Sequence, residues 1–253
     1  MQLPMLQFNF KKYGWSIWKY VLHILFPQTC FSCGCDLPYN AVAPLCGPCE
    51  NGLTLPGPFI CQRCGVVLKS GGAHCYHCRG SKETKFKCKI IRSACNFNEY
   101  SRGLVLALKY QGMDYVAPYM GAFMARRFGM LPELSQADLV IPVPLFPKRK
   151  KKRGYNQSEL LARAFCNTTG LALNTTALVR VRDTGSQTKL GRQARVANMA
   201  EAFEVKEGPA VKGRIVLLID DVATTGATLE ACAQALRKAG AKRVMAFTFA
   251  REN

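Results

Sequence analysis

From about residue 87 to the end of the chain, hydrophobic positions follow strand-like and helix-like spacing in turn. Apolar residues that recur every three or four positions predict helices, whereas short apolar runs bounded by turn residues predict buried strands. The predicted strands are 90–97, 137–143, a short one near Leu178, 214–219 and 243–250. The predicted helices are 102–110, 115–128, 157–166, 191–200 and 228–240. This order predicts an α/β fold, with a mainly parallel sheet flanked by helices on both faces.

Residues before 87 follow a different pattern and divide into two further parts. Residues 1–29 form an aromatic and basic lead-in, and 30–80 form a cysteine-rich module that ends at the polar stretch GSKETKFK. We therefore expect three units: 1–29, 30–80 and 87–253. A helical lead-in would present an apolar face suited to packing on the next unit, and weak contact with a membrane surface is the alternative. That face consists of Trp15, Trp18, Leu22 and Leu25.

The composition adds a strong positive charge to this picture. Of 253 residues, 35 are Lys or Arg and 16 are Asp or Glu, so the formal net charge is +19. Such an excess favours an anionic partner, either nucleic acid or a membrane surface, although a solvated basic face is the simpler alternative. No apolar stretch reaches the length of a membrane span, and 15–26 lacks the features of a signal peptide. We expect a cytoplasmic protein.

Eight of the 13 cysteines fall into four Cys-x-x-Cys pairs. This spacing lets two thiolates reach one tetrahedral Zn²⁺, so two pairs complete a site and four pairs predict two structural zincs. Sequential and interleaved pairing both remain open, and a redox role is the disfavoured alternative. We interpret Cys35, His74 and His77 as bystanders and the remaining cysteines as core residues. The predicted ligands are Cys30, Cys33, Cys46, Cys49, Cys61, Cys64, Cys75 and Cys78.

The most informative segment is IVLLIDDVATTGAT at 215–228. It predicts a buried strand, a loop of small and hydroxyl residues, and the start of a helix, which is where α/β proteins bind phosphate. Two carboxylates, Asp220 and Asp221, would repel a phosphate alone. They suit a ligand that also carries hydroxyl groups or a divalent metal, and the segment therefore predicts a sugar phosphate site.

This segment resembles the phosphoribosyl pyrophosphate (PRPP) loop of type I phosphoribosyltransferases. The resemblance implies that Asp220 and Asp221 bind the ribose hydroxyls and that the loop wraps the 5′-phosphate, with Gly226 allowing close approach of the backbone. It also implies Mg²⁺ bound together with PRPP. The implied phosphate loop consists of Ala223, Thr224, Thr225, Gly226, Ala227 and Thr228.

A second group of residues extends this resemblance. The predicted strand 137–143 leads into Pro142-Val143-Pro144, six consecutive cations at 148–153, and Gly-Tyr-Asn-Gln at the start of a helix. By resemblance, Val143, Pro144 and Leu145 belong to a pyrophosphate-binding loop. Tyr155, Asn156 and Gln157 would lie in a hood over a base, or Asn156 would simply cap the helix.

The whole set resembles the ComF family, and the match covers nearly the entire chain. The family pattern is a double zinc ribbon, a Lys-Tyr-x-Gly element, Pro-Val-Pro, Arg-Gly-Tyr-Asn-Gln, a Gln-Leu-Arg-Asn block and the PRPP loop. Here the shorter elements are Lys109 with Tyr110 and Gly112, 142–144, 153–157 and 187–198. The longer lead-in before Cys30 departs from the pattern, which leaves its role open.

Three functions follow from the resemblance. The first is a competence protein that handles single-stranded DNA on the cytoplasmic side during natural transformation, with exposed aromatic residues as stacking sites. The second is a phosphoribosyltransferase acting on a nucleobase or amine. The third is a zinc-ribbon module that senses PRPP and docks other competence or recombination proteins. In any transfer, catalysis would need Mg²⁺ and cations on the leaving pyrophosphate, and the candidate cations are Lys109, Arg149, Arg153 and Arg195. The candidate stacking residues are Phe59, Tyr76, Phe86 and Tyr100.

Overall fold

A computed structural model describes residues 23–25, 27–79, 86–110, 112–183 and 201–252 of this chain. Its strands are β1 (Cys88–Asn96), β2 (Leu139–Pro142), β3 (Ala172–Leu173), β4 (Leu178–Arg180), β5 (Phe203–Val205), β6 (Ile215–Ala223) and β7 (Arg243–Arg251). Its helices are α1 (Gly47–Asn51), α2 (Glu99–Tyr110), α3 (Ala117–Phe128), α4 (Pro147–Arg153), α5 (Gln157–Thr169), α6 (Gly208–Val211) and α7 (Ala227–Lys238). Short 3₁₀ turns cover Asp114–Val116 and Pro132–Leu134.

Five strands form one parallel sheet in the order β1-β7-β6-β2-β3. The central strand β6 shows why the sheet is covered on both sides, since its apolar residues alternate between two cores. Leu217 and Ile219 belong to the core that contains α2, α3 and α5, whereas Val216 and Leu218 belong to the core that contains α7. The α/β class with a mainly parallel sheet is therefore confirmed. Strands β4 and β5 form a separate antiparallel pair.

The two cysteine-rich ribbons pack on opposite faces of this sheet. The first ribbon contributes Cys30 and Cys49 to the core of α2, α3 and α5. The second contributes Cys61, Cys64 and Cys78 to the core of α7. Each ribbon thus completes one of the two hydrophobic cores instead of forming a separate one.

Several predicted boundaries differ from the observed ones. Strand β6 continues past 219 to Ala223, because Asp220 and Val222 still pair with β7. Helix α4 covers the run of cations at 148–153, which is absent from the predicted helices, and none of its residues is buried. The predicted helix 191–200, the block 187–198 and most of the lead-in 1–29 fall outside the described residues. Within the described ranges, no helix is both long enough and apolar enough to span a membrane.

Candidate functional site

Successive strands are added to the sheet in one direction after β2 and in the opposite direction after β6. From β2 the chain passes through α5, which packs in the first core, and reaches β3 on one side. From β6 it passes through α7, which packs in the other core, and reaches β7 on the opposite side. In open α/β sheets such a point leaves a crevice at the carboxyl ends of the two strands, where ligands bind. Pro142 ends β2 and pairs with Ile219 of β6, so Asp220 is the first residue of β6 beyond the pairing with β2.

The acid pair lies at this crevice and is almost fully buried. Asp220 is 9% exposed and Asp221 is 3% exposed. Oδ1 of Asp220 accepts a hydrogen bond from Ser158 Oγ at 2.7 Å and another from the backbone N–H of Asp221 at 2.9 Å. Ser158 stands in the first turn of α5, so this bond joins the helix after β2 to the end of β6.

The environment of Asp220 favours its neutral form. Burial, followed by the charge of Asp221, raises the pKa of Asp220 from 3.8 to about 7, although the hydrogen bond from Ser158 and the charge of Lys109 act in the opposite direction. Near neutral pH, Asp220 is therefore partly protonated in the free protein.

Lys109 supplies the cation closest to this pair. Its Nζ lies 2.5 Å from Asp221 Oδ2. Burial lowers the pKa of Lys109, but the charge and hydrogen bonding of Asp221 outweigh this effect, so the net pKa is raised. The prediction that Lys109 and the acid pair share one site is thus consistent with their geometry, and Lys109 is fully charged there.

The phosphate-loop candidate begins where β6 ends. Ala223 is buried in the strand, Thr224 is exposed, and Gly226 has a φ of +76° as the residue before α7. Gly226 is at the N-cap position of α7 but has no side chain that could cap it. The hydroxyl of the preceding Thr225 accepts a hydrogen bond from the Ala227 N–H at 3.3 Å. The next amides, of Thr228 and Leu229, have no carbonyl of an earlier turn to bind. This arrangement presents backbone N–H groups and a helix N-terminus beside the acid pair.

The Pro-Val-Pro loop is fixed on the other side of the crevice. The Val143 N–H donates to Ile219 O at 2.9 Å, and the Val143 carbonyl accepts from Asn156 Nδ2 at 3.0 Å. Pro144 and Leu145 are half-buried. Asn156 also caps α5, since its Oδ1 accepts from Ser158 N at 3.2 Å. Asn156 is therefore a cap and a loop anchor, which settles the alternative left open by the sequence.

The residues on either side of Asn156 also make hydrogen bonds within the protein. Gln157 is buried and accepts a hydrogen bond from the guanidinium of Arg153. Tyr155 donates through its hydroxyl to Leu108 O at 2.8 Å. These bonds fix Tyr155 and Gln157 within the protein, and the hood over a base stays a prediction.

The basic residues after β2 lie around this loop. Arg153 also stacks over the ring of Tyr110, with 5.6 Å between the guanidinium carbon and the ring centroid. Arg149 forms an ion pair with Asp183 at 3.1 Å. A cavity of about 500 Å³ opens beside them and is lined by Pro144, Leu145, Lys150, Lys151 and Arg180 among others. Burial, together with the charge of Arg149, lowers the pKa of Arg180, so this cavity holds crowded positive charge. Arg195 lies outside the described residues.

The eight predicted metal ligands form two clusters with sequential pairing. In each cluster the four thiol sulfurs lie within 4.8 Å of one another. The Cys33 and Cys46 sulfurs are 3.7 Å apart, and so are those of Cys64 and Cys75. Tetrahedral zinc with sulfur at about 2.3 Å separates its ligands by about 3.8 Å, so the geometry fits. One cluster is Cys30, Cys33, Cys46 and Cys49, and the other is Cys61, Cys64, Cys75 and Cys78.

The ionisation of these thiols also fits the binding of a metal cation. Burial acts to raise the pKa of Cys30, but backbone hydrogen bonds from Cys33 and Cys46 outweigh it and lower the pKa to about 6. Burial and the neighbouring thiols raise the pKa of Cys49 in the same cluster to about 12. Four thiolates cannot coexist at this distance without a metal ion, which supports structural zinc in both ribbons.

Sequence reasoning missed Ser158 and the second role of Asn156. Both belong to the segment Asn-Gln-Ser at the start of a helix that follows a phosphate-type loop, and a Ser at the second helical position was the available signal. Its partner Asp220 is 62 residues away along the chain, so the pair becomes visible only in the folded protein.

Two family models match this chain. A double zinc ribbon domain covers 21–79, and a phosphoribosyl transferase domain covers 138–253. A solved structure, a glutamine PRPP amidotransferase from B. subtilis complexed with ADP and GMP, is 21% identical with a TM-score of 0.34, and the match covers 51% of this chain and 25% of that chain.

Curated relatives match over most of their length. DNA utilization protein YhgH of Escherichia coli O6:H1 is 36% identical, over 83% of this chain and 98% of that protein. Competence protein F of Haemophilus influenzae is 28% identical, over 88% and 96%. Competence protein ComFC of Bacillus subtilis is 27% identical, over 82% and 84%. With a double zinc ribbon followed by a phosphoribosyl transferase domain, this chain belongs to the ComF family of competence protein F, ComFC and YhgH.

Proposed function

We propose that this protein binds Mg²⁺–PRPP at the β6–α7 loop and handles single-stranded DNA on the cytoplasmic side during natural transformation. The observation that carries the first half is the buried pair Asp220–Asp221 beside the N-terminus of α7. Amide groups at a helix start suit the 5′-phosphate, and carboxylates suit the ribose hydroxyls.

The acid pair also fits a magnesium ion held mainly by the ligand. Mg²⁺ prefers oxygen ligands, keeps several waters, and is usually bound by one or two carboxylates together with substrate phosphates. In this proposal Lys109, which pairs with Asp221, and the cations Arg149 and Arg153 after β2 balance the pyrophosphate, and magnesium would neutralise the rest of that charge. Within this proposal, Val143, Pro144 and Leu145 contact the pyrophosphate and Ala223–Thr228 contact the 5′-phosphate.

The DNA half of the proposal has separate support. Two relatives are named competence proteins and one a DNA utilization protein. The net charge is +19, and Lys148, Lys151 and Lys152 are exposed on α4 next to the candidate pyrophosphate loop. Tyr76 is 89% exposed and Phe59 is 60% exposed, which suits stacking on bases. Tyr100 is unsuited, because its ring packs on Gly52.

Fluorescence anisotropy with a labelled single-stranded oligonucleotide tests the DNA half. The logarithm of affinity should fall with the logarithm of salt by about 0.7 for each phosphate neutralised. Changing Lys148, Lys151 and Lys152 to Ala should reduce that slope by about 2. The matched control changes Lys212, Lys238 and Lys242, which are exposed at the other end of the sheet, and should keep the slope. Absent or salt-independent binding by the unchanged protein contradicts DNA handling.

Phosphoribosyl transfer to a nucleobase or amine is the second candidate function. It is favoured by the charged Lys109 at the acid pair, since a cation at this point would stabilise a leaving pyrophosphate. Release of pyrophosphate on adding an acceptor supports it, whereas binding of PRPP without release across bases and amines supports a PRPP sensor. Repeating the PRPP titration with single-stranded DNA present shows whether the two ligands are linked.

The same proposal includes a cytoplasmic location. It also includes three units with the boundaries 1–29, 30–80 and 87–253. The zinc-ribbon match ends at 79 and the sheet begins at Cys88, which supports the second boundary. Zinc-bound cysteines need a reducing compartment to stay as thiolates, which supports the cytoplasm.

A further inference from the structure

The second zinc ribbon contacts the helix that starts at the candidate phosphate loop. Arg63 lies inside the Cys61–Cys64 knuckle, and its Nη1 donates to Cys78 Sγ at 3.5 Å. Its Nη2 donates to Glu230 Oε2 at 2.9 Å. Glu230 stands in the first turn of α7. One guanidinium therefore bridges a zinc ligand and the helix whose first amides face the 5′-phosphate in our proposal.

Glu230 is held from more than one side. Its carboxylate also accepts from the backbone N–H of Lys87 at 2.5 Å and of Cys88 at 3.2 Å. Both residues lie at the start of β1, next to the ribbon. The first turn of α7 is thus anchored both to the sheet edge and to the metal site.

A second contact path runs through Ile91 on β1. The Ile91 N–H donates to Arg63 O at 2.7 Å. The Ile91 carbonyl lies 2.7 Å from where a Cβ on Gly65 would be, and the Ile91 Cδ1 lies 3.1 Å from where a Cβ on Gly226 would be. The knuckle therefore contacts the backbone of Ile91, while the phosphate loop lies against the side chain of the same buried residue.

The charge of Glu230 links the Arg63–Glu230 contact to the binding of an anionic ligand at the start of α7. A carboxylate in the first turn of a helix interacts with the same positive end of the helix as a bound phosphate does, and it repels that phosphate. Arg63 neutralises the carboxylate in a partly buried setting, with side-chain exposures of 16% and 25%. Arg63 is held in turn by Cys78, whose position depends on the closed metal site, and also by Cys88 O at 3.4 Å and by the ring of Phe86.

The first ribbon differs in this respect. It packs against α2 and α3 on the opposite face of the sheet, and its ion pair to the core domain is Glu50 with Arg126 at 3.8 Å. Among the described residues, the hydrogen bonds of its cysteines do not involve α7. The first ribbon therefore serves as the control for a general effect of zinc on the stability of the protein.

We propose that Arg63 and Glu230 are positioning residues that couple zinc in the second ribbon to PRPP affinity, while the first ribbon has a structural role only. This inference rests on the proposed PRPP site. With zinc bound, Arg63 holds and neutralises Glu230, and the amides of α7 face the phosphate. When zinc leaves, the 75–78 knuckle is released, Arg63 loses Cys78 as one of its partners and holds Glu230 less firmly, and the less neutralised Glu230 weakens phosphate binding.

Calorimetric titration with Mg²⁺–PRPP tests this on the zinc-loaded full chain. Arg63→Met should lower the affinity about tenfold, a typical size for coupling between sites. The double change Arg63→Met with Glu230→Gln should be no weaker than Arg63→Met alone, because the unpaired charge is removed. The matched control is Arg126→Met, which breaks the ion pair of the first ribbon and should leave the affinity unchanged. Metal content and melting temperature, measured on each variant, identify any that has merely lost zinc or its fold.

A second readout does not depend on the variants. Coupling of affinities is reciprocal, so saturating PRPP should raise the zinc affinity of the second ribbon, measured by equilibrium competition with a chelator, by about the same factor. Alkylation followed by peptide mass spectrometry assigns the protected site. Cys75 should be protected by PRPP, whereas Cys33 and Cys46 should not, and Glu230→Gln should reduce the protection.

The outcomes separate this inference from the function on which it rests. If the unchanged protein binds PRPP, all variants bind equally well and PRPP protects neither ribbon, the coupling is overturned and the PRPP site stands. Equal protection of both ribbons also overturns it, since that result indicates a general stabilisation. If the unchanged protein does not bind PRPP, both the function and the coupling fail.

Discussion

Lys109 Nζ lies 2.5 Å from Asp221 Oδ2, which connects the last turn of α2 to the carboxyl end of the central strand β6. The carboxylate side chain is 5% exposed and the lysine side chain is 23% exposed. An ion pair shielded from water to this degree depends on both partners, because either one alone would be a buried charge. The pair therefore links the stability of the fold to the electrostatics of the candidate site.

Removing the lysine should destabilise the protein more than removing both charges. We expect Lys109→Met to lower the free energy of unfolding by about 3 kcal/mol, because Asp221 then stays buried without a counter-ion. Lys109→Met with Asp221→Asn should recover most of that loss. Urea unfolding followed by circular dichroism measures both, and a single variant as stable as the unchanged protein would refute the assignment.

Binding of Mg²⁺–PRPP should depend on pH through Asp220. Its pKa is raised to about 7, so below that value the free protein holds a proton that a cationic or hydroxyl-rich ligand must displace. The affinity should therefore fall about tenfold per pH unit below about 7 and level off above it. Calorimetry in two buffers of different ionisation enthalpy should show proton release at pH 6.

The hydrogen bond from Ser158 provides the matched test of that pH dependence. Because this bond favours the ionised carboxylate, Ser158→Ala should move the midpoint to a higher pH. Ser135→Ala removes a hydroxyl that donates to Pro132 O in an exposed turn and should leave the midpoint unchanged. A midpoint that does not move in either variant would assign the proton to another group.

The glycine before α7 should be required for the phosphate loop. Gly226→Ala places a Cβ in the left-handed region at φ +76° and 3.1 Å from Ile91 Cδ1. We expect a loss of about 1–2 kcal/mol in stability and at least tenfold in PRPP affinity. Gly213 has a φ of +75° with no atom within 4 Å of the added Cβ, so Gly213→Ala should lose stability alone. Equal PRPP affinity in the two variants would argue against this loop as the cradle.

Asn156 should support both stability and the site. Asn156→Ala removes the cap of α5 and the bond to Val143 O, and we expect a loss of about 1–3 kcal/mol together with weaker PRPP binding. Asn98 makes comparable bonds at the start of α2, accepting from Tyr100 N and donating to Gly52 O. Asn98→Ala should cost similar stability without changing the affinity. If both variants bind PRPP like the unchanged protein, the Pro-Val-Pro loop is not part of the site.

The fold class was predictable because buried parallel strands leave short apolar runs that are easy to recognise. The end of β6 was not, because Asp220 and Asp221 are polar and interrupt the run, although the backbone of Asp220 still pairs with Thr248 of β7. Helix α4 was missed because it lacks the apolar spacing by which helices are recognised. Its cations provide no apolar face, and the helix is stabilised at its ends by Pro147 and by Gly154 at φ +88°.

The site itself was predictable only in its local parts. The acid pair, the glycine-containing loop and the cysteine pairs each lie within a short stretch with characteristic chemistry. Zinc pairing was left open because both arrangements can satisfy the loop lengths. The contacts that join distant segments left no local signal, since Ser158 and Asp220 are 62 residues apart and Arg63 and Glu230 are 167 residues apart.

The most direct test of the account is a calorimetric titration of the zinc-loaded protein with PRPP in the presence of Mg²⁺. Asp220→Asn together with Asp221→Asn keeps the size of both side chains and removes the carboxylates. We expect one site per chain in the unchanged protein and no measurable binding in the double variant at the same metal content. Equal binding by the two proteins, or no binding by either, would contradict a sugar phosphate site at the end of β6.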